Sequence, residues 1–299
     1  MTDSFDLKIP LLDETDIEIL MHRDAHFSSN FDLMLEYYRD GGIGSMEDFS
    51  IKRIQRLAVY EKQTGEDLSL LLLPESAKAQ VEDAKAMYIS LRDVYEHPQS
   101  SQMTKAISDL ILTEEEEPEE EVKQIVSFGS AIVPLLIDLI KQDKLYQPLF
   151  PGYGKAPLHA AQCLALIQDD RAIAPLYQML GATDFEAEDA IMLALASFKE
   201  KAKEFLLKRL SHEPLSKENE HAAIVLSSMP EDEQVAKECL KLLSHPLIHK
   251  HNSLANYLIL SCYALKSEQD RKHFQEKVLN MPNIMKHEAE MIIKSWNKR

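Results

Sequence analysis

The sequence predicts an all-α protein, with an N-terminal helical region running into an α-solenoid. Three observations carry this prediction. Only 8 of the 299 residues are Gly, and the turn dipeptides of β-hairpins are nearly absent. Leu, Ala, Glu, Lys, Met and Ile dominate, all of them compatible with helix. From residue 118 onward one amphipathic pattern recurs every 30-odd residues. A two-helix hairpin of that length cannot bury its apolar face alone, whereas stacked copies can. Apolar residues make up 45% and charged residues 28%, enough apolar mass for a sizeable core and too much for a disordered chain. A β-sandwich and a Gly-rich phosphate-binding α/β enzyme are excluded on the same grounds.

The first 113 residues read as successive helices. Asp13 to Asp16 open a helix carrying Ile17, Leu20 and Met21. Ser29 and Asn30 open one from Phe31 to Arg39, stopped at Gly41 to Gly44. Ser45 opens a helix over 47–63, with Phe49, Ile51, Ile54, Leu57, Ala58 and Val59 spaced for one buried face and Gly65 as its stop. Pro74 starts a long helix to about Tyr95, closed by His97-Pro98. Ser100 or Ser101 opens another over 102–112. The acidic run 113–121 then reads as a solvated linker whose last carboxylates favour the next helix start, or else as bait for a basic partner. It divides the chain into an acidic region, 1–117, and a repeat region, 118–299.

The repeat begins with Glu121-Val-Lys-Gln-Ile-Val-Ser-Phe and returns at His159, Asp189, His221 and Ser253. The first step is lengthened by an apparent insertion, 143–156. Second helices are clearest where Pro falls in the first turn, at Pro134 and Pro175. The segment 283–297 reads as a terminal helix capping the stack. The turn Asp169-Asp170-Arg171-Ala172-Ile173 with Pro175-Leu176, preceded by the small residues Ala160, Ala161 and Ala165, resembles the HEAT-like repeat family. The likeness is to its short-period bacterial type, also seen in phycobilin lyases. It spans 118–299 and implies paired helices stacked into a protein-binding surface. HEAT-like DNA glycosylases and bilin lyases imply an enzyme or nucleic-acid binder as the alternative. The segment Met21-His-Arg-Asp-Ala-His-Phe27 is also faintly similar to proteins of chlamydia-like bacteria that carry no assigned activity.

Candidate sites are few. His22 and His26 share a helix face with Glu18. A metal would need further ligands, and the Glu of H-E-x-x-H is missing. No metal and no cofactor is expected, and His22 and His26 are the candidates were one held. His245, His249 and His251 straddle a turn beside Pro246. Gly41-Gly-Ile-Gly-Ser45 lacks the preceding strand and the Lys-Ser/Thr of a phosphate loop. Cys163, Cys239 and Cys262 lie in apolar runs and read as reduced, inert thiols. No nucleophile sits on a recognisable turn, so no catalytic residue is assigned. The insertion holds Tyr146, Phe150 and Tyr153 among two Pro and two Gly. Either its aromatics pack on the neighbouring helices, or they form a binding loop together with Lys155; Arg171 of the repeat turn joins these as a candidate binding residue.

Charge narrows the partners. The net charge of −17 arises wholly in residues 1–121, with 28 acidic and 11 basic side chains, against 22 of each beyond. An acidic half repels phosphate backbones. Lysines and arginines recur in the later second helices, from Lys199 to Lys277, mixed with Glu200, Glu204 and Glu238. They read as an outer face or as a basic groove. No apolar run reaches the roughly 18 residues of a membrane span and no signal peptide is apparent, so the expected address is the cytoplasm, with signal-free secretion giving the same sequence. The functional expectation is a non-catalytic protein-interaction scaffold.

Overall fold

The computed structural model describes residues 13–229, 231–279 and 283–296. Among these residues there are seventeen α-helices joined by turns and short 3-10 segments, and no strand. None of the helices is long and apolar enough to cross a membrane. The chain divides into two compact units between Cys163 and Leu164.

The N-terminal unit holds α1 (Glu14–His26), α2 (Phe31–Asp40), α3 (Ile51–Thr64), α4 (Leu68–Leu72), α5 (Glu75–Glu96), α6 (Gln102–Leu112), α7 (Glu119–Ser127), α8 (Val133–Ile140) and the start of α9 (Ala156–Ile167). Asp13 caps α1 by accepting from the Asp16 amide, and Asn30 caps α2 through the Asp32 and Leu33 amides. Gly41 ends α2 at φ +71°, the left-handed conformation that suits glycine. Helix α1 packs against α3, α4 and α5. Enclosed in this way, it buries polar residues along with Ile19 and Leu20: Asp16, His22, Arg23 and Asp24 are all buried.

Each buried charge on α1 is matched. Arg23 is wholly buried. Its guanidinium donates to Asp24 at 2.8 Å, Glu61 at 2.6 Å, Asp67 at 3.2 Å and the Ser69 hydroxyl at 2.9 Å, and lies 4.5 Å from the centre of the Phe31 ring. Asp16, also fully buried, accepts from Arg53 at 2.6 Å and Arg56 at 2.7 Å. Charge can stay in a core only when it is paired and hydrogen-bonded this completely.

Two sequence expectations shift here. Helix α3 starts at Ile51, not at residue 47. Residues 45–49 are held as a loop because the Met46 amide donates to the Tyr38 hydroxyl and the Phe49 ring stacks on Tyr38 at 6.3 Å. The acidic run also does not part the two units. Helices α6 and α7 on either side of it pack together, and the division falls instead within α9.

The C-terminal unit continues with α10 (Ile173–Met179), α11 (Phe185–Ser197), α12 (Glu200–Leu210), α13 (Lys217–Ser228), α14 (Glu233–Leu242), α15 (Asn252–Ser261), α16 (Glu268–Leu279) and α17 (Asn283–Trp296). Helix α11 packs on α13, α13 on α15, and α15 on α17; α14 packs on α16. One register runs through the first set. Ile191, Ala222, Ala255 and Ala289 are buried at steps of 31, 33 and 34 residues. Three residues on, Ala194, Val225, Leu258 and Ile292 are buried too. Six residues on stands a serine each time. Ser197, Ser228, Ser261 and Ser295 donate to their own helix at Ala194, Val225, Tyr257 and Ile292, at 2.6 to 3.1 Å. This aligns Ile191, not Ala190, with Ala222, one residue off the sequence register, because Ala187 and Ile191 take the buried side of α11.

Helix α17 joins this series as well as ending it. Trp296 anchors it, its indole donating to the Tyr263 carbonyl at 3.0 Å with Phe274 and Arg271 against the ring. The residue Asn297, expected at the end of this helix, lies outside the described residues. Buried Asn219 ties α12 to α13 by donating to the carbonyls of Arg209, Leu210 and His212.

Replacing Arg23 by Leu removes the one cation facing three carboxylates. Urea unfolding is expected to show a loss of about 3–5 kcal/mol in the N-terminal unit, the cost of breaking a buried pair from one side.

Candidate functional site

The insertion 143–156 lies on the histidine face of α1. Its aromatics turn inward. Phe150 is 2% exposed, with the Lys144 ammonium 5.7 Å from its ring centre. Lys144 in turn pairs with Asp83 at 2.8 Å. The Tyr146 hydroxyl donates to the Ile140 carbonyl at 2.7 Å. Tyr153, at φ +50°, sets its ring 4.7 Å from His26 and 6.1 Å from His22, centre to centre. Gly44 must be glycine for this, since a Cβ there would overlap the Tyr153 ring. The glycine run therefore serves close approach, and the Gly44 amide is spent on the Tyr37 hydroxyl at 3.0 Å. Lys155 is half-buried.

A hydrogen-bond chain fastens the loop to the helices. His26 Nε2 meets the Pro148 carbonyl at 3.0 Å, and its Nδ1 meets the Tyr88 hydroxyl at 2.8 Å. The Tyr153 ring lies 6.2 Å from that of Tyr37, centre to centre. The directions follow from the ends. A carbonyl only accepts, so His26 donates from Nε2, and Nδ1 must accept from Tyr88. At the glycine run, the Tyr37 hydroxyl accepts from the Gly44 amide. The Tyr88 and His26 protons both point towards the Pro148 carbonyl, and such aligned dipoles reinforce one another. Burial raises the pKa values of Tyr88 and Tyr153 well above that of a free phenol and pushes Tyr38 up to about 12.

Both histidines are held neutral. Burial lowers His22 to about 3, helped by neighbouring His26, and lowers His26 to about 4. Their rings stand 4.5 Å apart. With both His26 nitrogens engaged, the pair is arranged as a structural element. Among the described residues no group of three or more His, Cys, Asp or Glu could hold a metal ion.

The remaining candidates sit apart from this cluster. Arg171 closes its own turn with a bidentate pair to Asp169, at 2.9 and 2.7 Å. His245 accepts from the Leu247 amide and meets Glu213 at 3.4 Å, a turn-holding role. The three cysteines are fully buried, and burial raises each thiol, Cys163 and Cys239 to about 12. Tyr37, Tyr38 and Tyr88 escaped the sequence reading. Tyr88 and Pro148 lie 62 and 122 residues from His26, and no local spacing signals such partners.

The C-terminal unit exposes a different feature. Two residues after each buried register position stand Leu193, Ile224, Tyr257 and Met291. Two steps along a helix turn about 200°, so these apolar side chains lie opposite the buried ones. Leu193 is 65% and Met291 54% exposed; Ile224 and Tyr257 are half-buried. Their helices pack in sequence, so the four form a stripe across α11, α13, α15 and α17. The basic residues of the second helices are largely paired instead: Lys201 with Asp170, Lys203 with Glu200 and Asp232, Arg209 with Glu218, Lys237 with Glu233, and Lys241 with Glu238.

Neither a scan against protein-family models nor a search of the curated proteins found a match for this chain.

Two outcomes are expected from the loop and its histidines. Phe150→Ala should cost about 3–5 kcal/mol in urea unfolding, as for a packed aromatic. The melting temperature should fall as pH drops from 6.5 towards 4. Over that window the unfolded chain binds protons at histidines near their ordinary value of 6.5, while folded His22 and His26 do not. A His22→Phe chain should show a shallower fall in the same melting series.

Proposed function

We propose that the C-terminal unit is a HEAT-like solenoid and that the protein is a non-catalytic interaction scaffold acting in the cytoplasm. The observation that carries this is the apolar stripe of Leu193, Ile224, Tyr257 and Met291, exposed at its two ends and half-buried between them, one residue from each of four successively packed helices. Water does not favour such a row, and contiguous exposed apolar surface marks sites of association. Neighbouring packed helices lie about 8–10 Å apart, so four of them carry the stripe over about 25–30 Å. A partner helix of about 20 residues has that length. The fitting partner is thus an amphipathic segment of another protein. The repeating Ser and small-residue register supports the stacked reading, because each first helix meets the next through the same positions.

A nucleic-acid reading draws less support. A phosphate backbone is held by lysines and arginines free to release counterions, and here Lys201, Lys203, Arg209, Lys237 and Lys241 of α12 and α14 are engaged by carboxylates of the same unit. The thiols are buried, which likewise disfavours cysteine chemistry.

Leu193→Glu combined with Met291→Glu tests the stripe. Both side chains are exposed, so stability should change by no more than about 0.5 kcal/mol per site. Cross-linking followed by mass spectrometry in the native organism should identify a protein bound to the wild-type chain and lost from the double variant. An identical set of cross-linked proteins for both chains would sink the scaffold reading at this surface.

A further inference from the structure

The apolar stripe of the C-terminal unit does not lie in a neutral surface. In an α-helix the residues four and seven before a given one fall within about 40° of it. On α11 those places before Leu193 hold Asp189 and Glu186, both exposed. That helix carries Glu188 as a third carboxylate, bonded to the Gly181 amide at 2.6 Å, and no Lys, Arg or His. On α13 the same places before Ile224 hold Glu220 and Lys217, one of each sign. Helix α15 has no charged side chain, and Lys250 is exposed just before its start. On α17 His287 stands four before Met291 and Lys294 three after it, both exposed. Glu290 points about 100° away from Met291, and Glu288 has its Oε2 buried.

The face is therefore acidic at its α11 end, balanced at α13, and basic from α15 to α17. The order of charge follows the order of packing, α11 on α13, α13 on α15 and α15 on α17. The two ends lie about 25–30 Å apart by the spacing of packed helices. Surface charges are screened over about 10 Å at 0.1 M salt, so each end acts on its own part of a bound partner. Burial of an apolar row holds a helix without giving it a direction. Opposite charges at the two ends of that row supply one. A uniformly basic helix would be repelled at α17, and a uniformly acidic one at α11.

We propose that the partner of this stripe is a bipolar amphipathic helix of about 20 residues, with Lys or Arg at the end over α11 and Asp or Glu at the end over α15 and α17. This rests on the scaffold reading of the stripe and adds the polarity of its occupant. The partner's cations meet Glu186 and Asp189, and its carboxylates meet Lys250 and Lys294.

Fluorescence-anisotropy titration of the full-length chain tests this with four peptides of about 20 residues that share one row of leucines at helical spacing. One carries Lys in its first half and Glu in its second, another the reverse order, a third Lys throughout and a fourth Glu throughout. Both bipolar peptides are expected to bind about tenfold tighter than either uniform one at low salt, and the gap should close at about 0.5 M salt. A photo-cross-linker at the basic end should label α11 with either bipolar peptide, whichever terminus is basic; one at the acidic end should label α17. Glu186→Lys with Asp189→Lys should turn the ranking in favour of the all-Glu peptide, in a chain with unchanged circular dichroism. Leu193→Glu with Met291→Glu should abolish binding of all four. No binding of any peptide to the wild type, or binding untouched by that last double variant, would sink the stripe reading and the polarity with it. Binding that needs the stripe but is equal for bipolar and uniform peptides, or cross-links that follow the terminus and not the charge, would overturn the polarity alone.

Discussion

Helix α1 is enclosed by α3, α4 and α5, and this enclosure forces a guanidinium, two carboxylates and an imidazole out of water together. Arg23 resolves most of that burden. Its planar fork reaches Asp24 on its own helix, Glu61 near the end of α3, and Asp67 and Ser69 across the start of α4. Lysine could not serve there, because a point charge lacks the several in-plane donors that Arg23 uses. Glu61 and Asp67 have further duties, receiving the Leu68 and Ser69 amides that open α4. One buried cation thus sets the turn between α3 and α4 and their angle to α1. Asp16 and the arginines of α3 repeat the arrangement at the other end of the helix.

Once α1 is held, its outer face decides the fate of the insertion. His26 offers a donor and an acceptor on opposite sides of one ring, and the loop satisfies the donor while α5 satisfies the acceptor. The proton directions are consistent from the Tyr88 hydroxyl through His26 to the Pro148 carbonyl. Charging His26 would replace its acceptor nitrogen with a donor and set it against the Tyr88 hydroxyl proton. The same low dielectric that strengthens the chain also excludes the charged forms, and this links the packing of the loop to pH.

The C-terminal unit is built on a different economy. It repeats one solution, a small or branched residue at the helix contact and a serine that satisfies its own backbone near the helix end. Alanine at Ala222, Ala255 and Ala289 lets neighbouring helices approach without cavities or strain. The apolar residue two positions later is not needed for that contact. Its recurrence as Leu, Ile, Tyr and Met leaves Leu193 and Met291 exposed and Ile224 and Tyr257 half-buried on the side away from that contact.

Local information sufficed for much of this molecule. Helix caps at Asp13, Asn30 and Ser101, the left-handed stops at Gly41 and Gly65, and the all-helical class follow from interactions within four residues, which the order of side chains encodes directly. The repeat was legible as a period, because one face must be apolar at regular intervals, but its register was not. Ala190 and Ile191 both suit a helix, and only burial distinguishes them. The aromatics of the insertion were recognised as residues of consequence in the sequence, yet whether they faced a partner or the core depended on His26 and Tyr88, residues remote along the chain. The same holds for Arg23, which reads as an ordinary surface charge until α3 and α4 close over it. Short-range caps and periodicity belong to the chain as written. The pairing of buried charges and the tie from Tyr88 through His26 to the insertion exist only after distant segments exclude water together, and that exclusion is a tertiary event.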